Sequence, residues 1–183
     1  MTTRIGQAVM LLHGGDREEA RSRFLDLWAE LGEEGDALHR CTLAHFMADA
    51  QDDPSDELAW DLRALSAANE LTDAQAMEHH QHYQHHQHPR SLAVRAFYPS
   101  LHLNLAADYA KLGRREAARG HLGVARNSVD ALGDGAYGDG IRAGIGHLQS
   151  RLDREGPGGA PEPAPERGSG PGGETLGPPR RQP

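Results

Sequence analysis

The residues with the clearest capacity for chemistry are the histidines of one short segment. Six of the ten residues 79–88 are His. On a helix, His79, His82 and His86 would share one face, because residues three, four and seven positions apart lie on the same side. Neutral imidazole nitrogens are ligands for Zn, Ni, Cu and Co. The segment therefore predicts some affinity for metal ions such as adventitious Zn or Ni, with no dedicated cofactor.

Two interpretations of this segment stay open. A physiological metal site would make the chain a metal-binding or metal-responsive protein. Against it, the segment has no His-Glu-x-x-His order and no nearby Cys, and Glu78 is the only close carboxylate. Nearly all its other residues are Gln, which is typical of a low-complexity connection. We therefore interpret residues 78–89 as a His-rich connecting segment.

No other constellation indicates catalysis. The remaining histidines are scattered over predicted helices, where hydrogen-bonded structural roles are expected. They are His13, His39, His45, His102, His121 and His147. No Ser-His-Asp set stands out. The run from Gly133 to Gly140 has neither the strand-turn-helix context nor the Lys of a phosphate-binding loop, and it predicts a turn. The sequence therefore predicts a protein that is not an enzyme.

Composition predicts an all-α fold. The chain has 183 residues, with 37% hydrophobic and 5% aromatic residues. Leu and Ala dominate the apolar residues and β-branched residues are sparse, which favours helix over sheet. The single cysteine, Cys41, excludes an intramolecular disulfide, and its apolar neighbours predict a buried or half-buried thiol. No apolar run approaches membrane-spanning length, so no membrane partner and a cytoplasmic location are expected.

Charge is distributed unevenly along the chain. The net charge is −8; residues 1–78 contain 17 acidic and 6 basic residues, and residues 79–155 contain 7 and 10. A nucleic-acid-binding protein usually concentrates basic residues on one face, so no nucleic-acid partner is expected. The acidic half would favour a basic protein partner.

Apolar periodicity and capping residues predict the order of the helices. Asp16 and Glu19 have the spacing of a capping box. Asp53 followed by Pro54 is typical of a helix start. Pro99 predicts a break or sharp kink. The predicted helices cover 4–13, 17–31, 36–50, about 56–70, a helix that begins at Thr72, 90–112 with the interruption at Pro99, 114–131 and 141–153.

One stretch, residues 98–131, has the features of a helix-turn-helix repeat. Small residues allow close helix approach and a glycine ends the first helix. The residues that carry the pattern are Ala106, Tyr109, Gly113, Ala118, Leu122 and Ala125. Residues 1–33 align with this stretch at an offset of 98 without gaps, which places Ala8, Gly15 and Ala20 opposite Ala106, Gly113 and Ala118. The pattern resembles the tetratricopeptide repeat (TPR).

The resemblance implies a right-handed array of antiparallel helix hairpins in one domain, residues 1–155. The Gly- and Pro-rich residues 156–183 predict a disordered tail. TPR arrays bind peptides or helices in a concave groove lined by the first helix of each repeat, which implies non-catalytic protein–protein interaction. Only Asn104 and Lys111 match the carboxylate clamp of the best-known TPR grooves. The residues expected to contact a partner are Cys41, His45, Asp49, Asn104, Asp108 and Lys111. The sequence leaves the oligomeric state open.

Overall fold

The computed structural model describes residues 1–81 and 89–154, with side chains for residues 1–72 and 97–154. The described part is helical and contains no strand, so the prediction of an all-α fold is confirmed. The helices are α1 (Thr2–His13), α2 (Arg17–Leu31), α3 (Ala37–Asp49), α4 (Pro54–Gln81), α5 (Pro89–Lys111), α6 (Arg115–Asn127), a 3₁₀ turn (Val129–Ala131) and α7 (Ala136–Arg154).

Helices that follow one another in the chain pack against one another. Two contacts between α4 and α5 show that this pair is antiparallel. Lys111 at the end of α5 reaches Glu57 in the first turn of α4, whereas Tyr98 donates a hydrogen bond to Asn69 much further along α4. Helices α3 and α4 are also antiparallel, because Arg40 pairs with Glu70 whereas the later residue His45 lies beside the earlier residue Asp61.

The core consists of three apolar clusters along this series of helices. The first lies among α1, α2 and α3 around Phe24, and the second among α3, α4 and α5 around Leu101. The third joins α5, α6 and α7 around Leu122. Alanines contribute many of the buried positions, so the helices pack closely with little apolar volume per contact.

The first hairpin, α1–α2, and the hairpin α5–α6 close with the same turn. Gly15 and Gly113 both have positive φ, at 91° and 71°. The amide after each glycine donates back to a carbonyl five residues earlier: Asp16 N to Leu11 O at 2.9 Å, and Arg114 N to Tyr109 O at 2.8 Å. These bonds satisfy carbonyls that the end of a helix leaves free. The two turns are separated by 98 residues, which is the offset found in the sequence.

The predicted helix start at Asp53 is confirmed, whereas the predicted capping box at Asp16 and Glu19 is absent. Asp53 accepts hydrogen bonds from the amides of Ser55 and Asp56, at 2.7 and 3.4 Å, so its role at the start of α4 is confirmed. Asp16 precedes α2 but makes no side-chain cap. The predicted capping box is wrong, because Glu19 accepts a bond from Arg23 at 2.8 Å instead.

Two predicted helix boundaries are absent. α4 continues through Thr72, whose hydroxyl donates to the Ala68 carbonyl at 3.1 Å and does not cap a new helix. α5 continues through Pro99, so the predicted break is absent. A proline inside a helix costs a backbone hydrogen bond. Burial of Pro99 and of the neighbouring Leu101 against α4 offsets that cost.

The predicted turn at Gly133–Gly140 is shorter than expected. Helix α7 already begins at Ala136, and the hydroxyl of Tyr137 donates to Ser100 Oγ at 2.9 Å. Gly138 is buried, and a Cβ there would lie 2.4 Å from the Gly133 carbonyl oxygen. The glycines therefore permit close packing at the start of α7, where their low helix propensity predicted a loop.

Two sequence predictions fall outside the described residues. One is most of the predicted His-rich connecting segment, residues 82–88. The other is the predicted tail at 156–183. Among the helices that can be assessed, none combines the length and apolarity needed to cross a bilayer.

The left-handed turn at Gly113 gives the first testable prediction. Gly113→Ala forces a Cβ into φ +71° and should destabilise the fold by about 1 kcal/mol. Gly120 lies inside α6 with open space around it, so Gly120→Ala should stabilise the fold by about 0.5–1 kcal/mol. Urea unfolding of both variants measures the difference. Equal effects of the two substitutions would contradict the assigned turn.

Candidate functional site

The second apolar cluster brings three helices close together. Cys41 and Ala44 of α3, Ala64 and Ala68 of α4, and Leu101 of α5 are buried against one another. Small side chains on α3 and α4 allow a short distance between the helices. Any side chain one turn further along these faces therefore also lies between helices.

Polar residues occupy those next positions. Asp61 precedes Ala64 by three residues, Asp108 follows Leu105 by three, and His45 follows Cys41 by four, so each continues a buried stripe. Asp61 and Asp108 are 0% and 1% exposed. We call the resulting group the acid cluster. Its members are His45 and Asp49 of α3, Glu57 and Asp61 of α4, and Asp108 and Lys111 of α5.

Lys111 is the cation of the acid cluster. Its Nζ lies 2.6 and 2.5 Å from the two carboxylate oxygens of Glu57 and 3.3 Å from Asp108 Oδ1. Burial lowers the pKa of Lys111, but Glu57 and Asp108 outweigh that effect and the pKa is raised. Lys111 therefore stays charged and joins α5 to α4 at the edge of the cluster.

The buried polar atoms inside the cluster lack comparable hydrogen bonds. His45 Nδ1 lies 3.7 Å from Asp61 Oδ1, which is too long for a hydrogen bond. Among the described residues, four buried atoms lack a hydrogen-bond partner: His45 Nδ1, Asp61 Oδ1, Asp61 Oδ2 and Asp108 Oδ2. Buried acceptors without donors are uncommon and costly. The acid cluster therefore has free capacity to accept hydrogen bonds.

The carboxyl groups of the cluster raise one another's pKa values. Burial, followed by the nearby carboxylates of Asp61 and Glu57, raises the pKa of Asp108 to about 8 although Lys111 lowers it. Burial also lowers the pKa of His45, but Asp61 and Asp49 outweigh it and the pKa is raised. Like charges close together disfavour ionisation of both. A proton held by Asp108 reduces the negative charge of the cluster, and the raised pKa of His45 favours its charged form.

The rim of the cluster reaches solvent. Asp49 is exposed, and the side chains of Lys111 and Glu57 are 40% and 22% exposed. The pKa of Asp49 is raised by the loss of hydration and by Asp61 and Glu57 nearby. The cluster is therefore accessible at Asp49, Glu57 and Lys111 and buried at Asp61 and Asp108. The arrangement suits recognition of positive charge.

The structure brings four of the six predicted contact residues into this cluster: His45, Asp49, Asp108 and Lys111. Cys41 is buried one turn deeper in the apolar core, so it does not reach the surface. Asn104 is half-buried on α5, one turn before Asp108. The predicted metal ligands His82 and His86 lie outside the described residues, and so does the side chain of His79.

Sequence reasoning missed Asp61 and Glu57. Glu57 lies in the first turn of α4, where the helix dipole by itself favours an acidic residue. Asp61 carries a usable signal, because it shares a helical face with Ala64 and Ala68, and a charged residue on a buried stripe requires a partner. Nothing in the sequence identifies α5 as the source of that partner.

A second polar pair lies between α5 and α6. His102 Nδ1 and His121 Nδ1 are 2.9 Å apart, and Tyr109 stacks on His121 with ring centroids 5.3 Å apart. Burial and His121 lower the pKa of His102 to about 4. The pair is therefore a neutral hydrogen bond between helices, which confirms the structural role predicted for these histidines. It offers no open ligand position.

Metal coordination has no support from geometry in the described part of the chain. No group of three or more His, Cys, Asp or Glu side chains there is arranged to hold a metal ion. The carboxylates of the acid cluster are spread over three helices, with an ammonium group among them.

Comparisons with protein-family models, with curated proteins and with solved structures find no match for this chain.

The raised pKa of Asp108 predicts a dependence of stability on pH. The folded chain holds this proton more tightly than the unfolded chain, whose Asp pKa is about 3.9. The stability contributed by Asp108 is full below that value and is lost as the pH rises towards 8. Asp108→Asn cannot ionise. Relative to the original chain, it should gain more than about 1.4 kcal/mol between about pH 5 and pH 8.5, the equivalent of one pKa unit.

Chemical denaturation at the two pH values measures this gain. Asp130→Asn, at an exposed position, is the matched control and should show no such gain. If Asp108→Asn and Asp130→Asn depend on pH in the same way, Asp108 does not hold its proton in the folded chain.

Cys41 should be unreactive in the folded protein. Burial raises the pKa of its thiol to about 12, with a further contribution from Asp61. The thiolate is the reactive form, so modification requires opening of the α3–α4–α5 contact. We expect the rate of reaction with a disulfide reagent such as DTNB to be more than about 100-fold lower in buffer than in denaturant. Comparable rates would show that the thiol is accessible.

Proposed function

We propose that this chain is a non-catalytic protein-binding module, built as a TPR-like array of helix hairpins, that binds a peptide or helix of another protein. The proposed binding surface is the solvent side of the acid cluster, where α3, α4 and α5 meet. One observation carries the proposal: the acid cluster joins the buried Asp61 and Asp108 to the solvent-accessible Glu57 and Lys111, and its carboxyl groups outnumber its basic groups.

The TPR-like architecture is supported by repetition within the fold. The hairpins α1–α2 and α5–α6 have the same left-handed glycine turn at the offset of 98 residues. The alanines paired by that offset, Ala8 with Ala106 and Ala20 with Ala118, are all buried. Equivalent residues thus have equivalent packing roles, as in proteins built from repeated hairpins.

Charge selects the class of partner. The acid cluster contains four carboxylates against Lys111 and His45, and the first 78 residues of the chain have a large excess of acidic residues. A surface with this balance attracts basic segments and disfavours acidic ones. The proposed partner is therefore a protein segment with at least one basic side chain.

The binding surface can be tested without knowledge of the natural partner. Random peptides displayed on phage are selected against the full chain, and the enriched peptides are synthesised. We expect basic peptides, whose affinity falls about tenfold, or about 1.4 kcal/mol, in Asp49→Lys. Asp49 is an exposed rim residue, so this change should leave folding intact.

Asp130→Lys is the matched control, since it makes the same charge change at an exposed position outside the acid cluster. It should leave peptide affinity unchanged. The double change of Asn104 and Lys111 to Glu should also alter binding, because both residues lie on α5 beside the rim. Enriched peptides that bind all three variants equally would refute the proposed surface.

A further inference from the structure

We infer that a second copy of this chain docks in the groove between α1 and α2, so that two copies form a symmetric dimer through their first hairpins. This surface is separate from the acid cluster, which belongs to α3, α4 and α5. The inference therefore goes beyond the proposed function and does not depend on it.

The groove is an open depression along the first hairpin, with a volume of about 600 Å³. Its floor is apolar, because Ala8 and Leu27 are buried there and Leu11 is half-buried. Most of the other lining residues are exposed, including Arg4 and Asp16. Ligand pockets for small molecules bury most of the ligand surface, so an open groove of this kind suits a protein surface better.

The spacing of the lining residues on α1 suits contact with another helix. Arg4, Ala8 and Leu11 line the groove at positions i, i+4 and i+7, which lie on one face of a helix. Helices that dock in grooves use this spacing of contacts. The occupant of the groove is therefore a helix, and α1 itself supplies a matching face.

The same surface has a projecting apolar side chain beside the apolar floor. Met10 lines the groove and is 74% exposed, the highest value among the exposed large apolar residues of the described chain. In a two-fold interface one surface patch meets itself, so it must contain both the projection and the recess that receives it. Met10 of each copy would enter the floor of the other between Ala8 and Leu27. The flexible side chain of methionine adapts well to such a recess.

The charges along the groove are self-complementary. Arg4 precedes Met10 by six residues and Asp16 follows it by six. Two α1 helices that cross antiparallel at Met10 therefore place Arg4 of each copy near Asp16 of the other. Asp16 is exposed and does not cap α2. Arg4 pairs with Glu30 at 2.7 Å, but its guanidinium is about half exposed and has further donors.

Charge balance favours a second copy over another partner. Residues 1–78 contain 17 acidic and 6 basic residues, so most of this half would repel a second copy. The groove lining has two arginines and two aspartates, and it is therefore neutral. Two neutral faces that carry both signs can meet without net repulsion, whereas a strongly basic or acidic segment gains nothing there.

Sedimentation equilibrium of the full chain, between about 10 μM and 1 mM, tests the inference. We expect a dimer with a dissociation constant of about 100 μM, as for a small interface. Met10→Asp brings a carboxylate to the apolar floor of the other copy and should weaken the dimer at least tenfold. Leu25→Asp is the matched control, since Leu25 is exposed on α2 outside the groove lining, and it should have no effect.

Charge reversal then tests the antiparallel arrangement. Arg4→Asp places two carboxylates together and Asp16→Arg places two guanidinium groups together, so each change alone should weaken the dimer at least fivefold. The two changes combined in one chain should restore most of the affinity. Arg4 and Asp16 lie at opposite ends of α1 within one copy, so this recovery requires pairing between copies.

The substituted residues are exposed, so each variant should keep the fold, which circular dichroism checks. A chain that stays monomeric over the whole concentration range would overturn the inference. A dimer that Met10→Asp leaves unchanged, or a double variant that does not recover affinity, would overturn it as well. Because the acid cluster is untouched in every variant, none of these results bears on the proposed function.

Discussion

The burial of two aspartates where α3, α4 and α5 meet is the constraint on which the rest of this structure depends. Asp61 and Asp108 occupy positions that would otherwise extend an apolar core. Removing a carboxylate from water is unfavourable unless other groups replace the lost hydration. Lys111, His45 and a proton retained on Asp108 supply part of that replacement. At this junction Lys111 connects α5 to α4, and His45 of α3 lies beside Asp61 of α4.

Small residues explain how the cluster is held in place. The alanines of α3 and α4 let these helices approach closely, so the carboxylate of Asp61 cannot turn towards solvent. The same contact buries Cys41 and supports the continuation of α5 through Pro99. The position of the cluster therefore follows from apolar packing a single turn away. A core built from larger side chains would separate the helices and admit water.

Much of the fold could be predicted from the sequence because the strongest signals are local. Leu and Ala periodicity predicts helices, and Gly113 and Asp53 mark a helix end and a helix start that the structure confirms. The failures share one cause. Thr72, Pro99 and Gly138 all have low helix propensity, yet each lies in a helix: Thr72 contacts Tyr98 of α5, and Pro99 and Gly138 are buried. Local propensity has no access to those contacts.

The site was harder to predict for the same reason. His45, Asp49, Asp108 and Lys111 could be proposed because they lie on helix faces expected to line a groove. The role of Asp61 depends on α5 lying across α4, and no local pattern reveals that. Its position on an alanine stripe was the available signal, since a buried charge must interact with something distant in sequence.

Side-chain carboxyl NMR of Asp61 and Asp108 in the full chain, followed over a pH titration, tests the central claim most directly. If the two aspartates are buried together without sufficient donors, the pair should keep one proton at pH values where aspartates are normally ionised. That proton should be lost only near the raised pKa of Asp108, about 8. If both carboxyls ionise completely by about pH 5, they are hydrated or fully paired with cations, and the account of this cluster as a buried pair of aspartates that shares a proton is wrong.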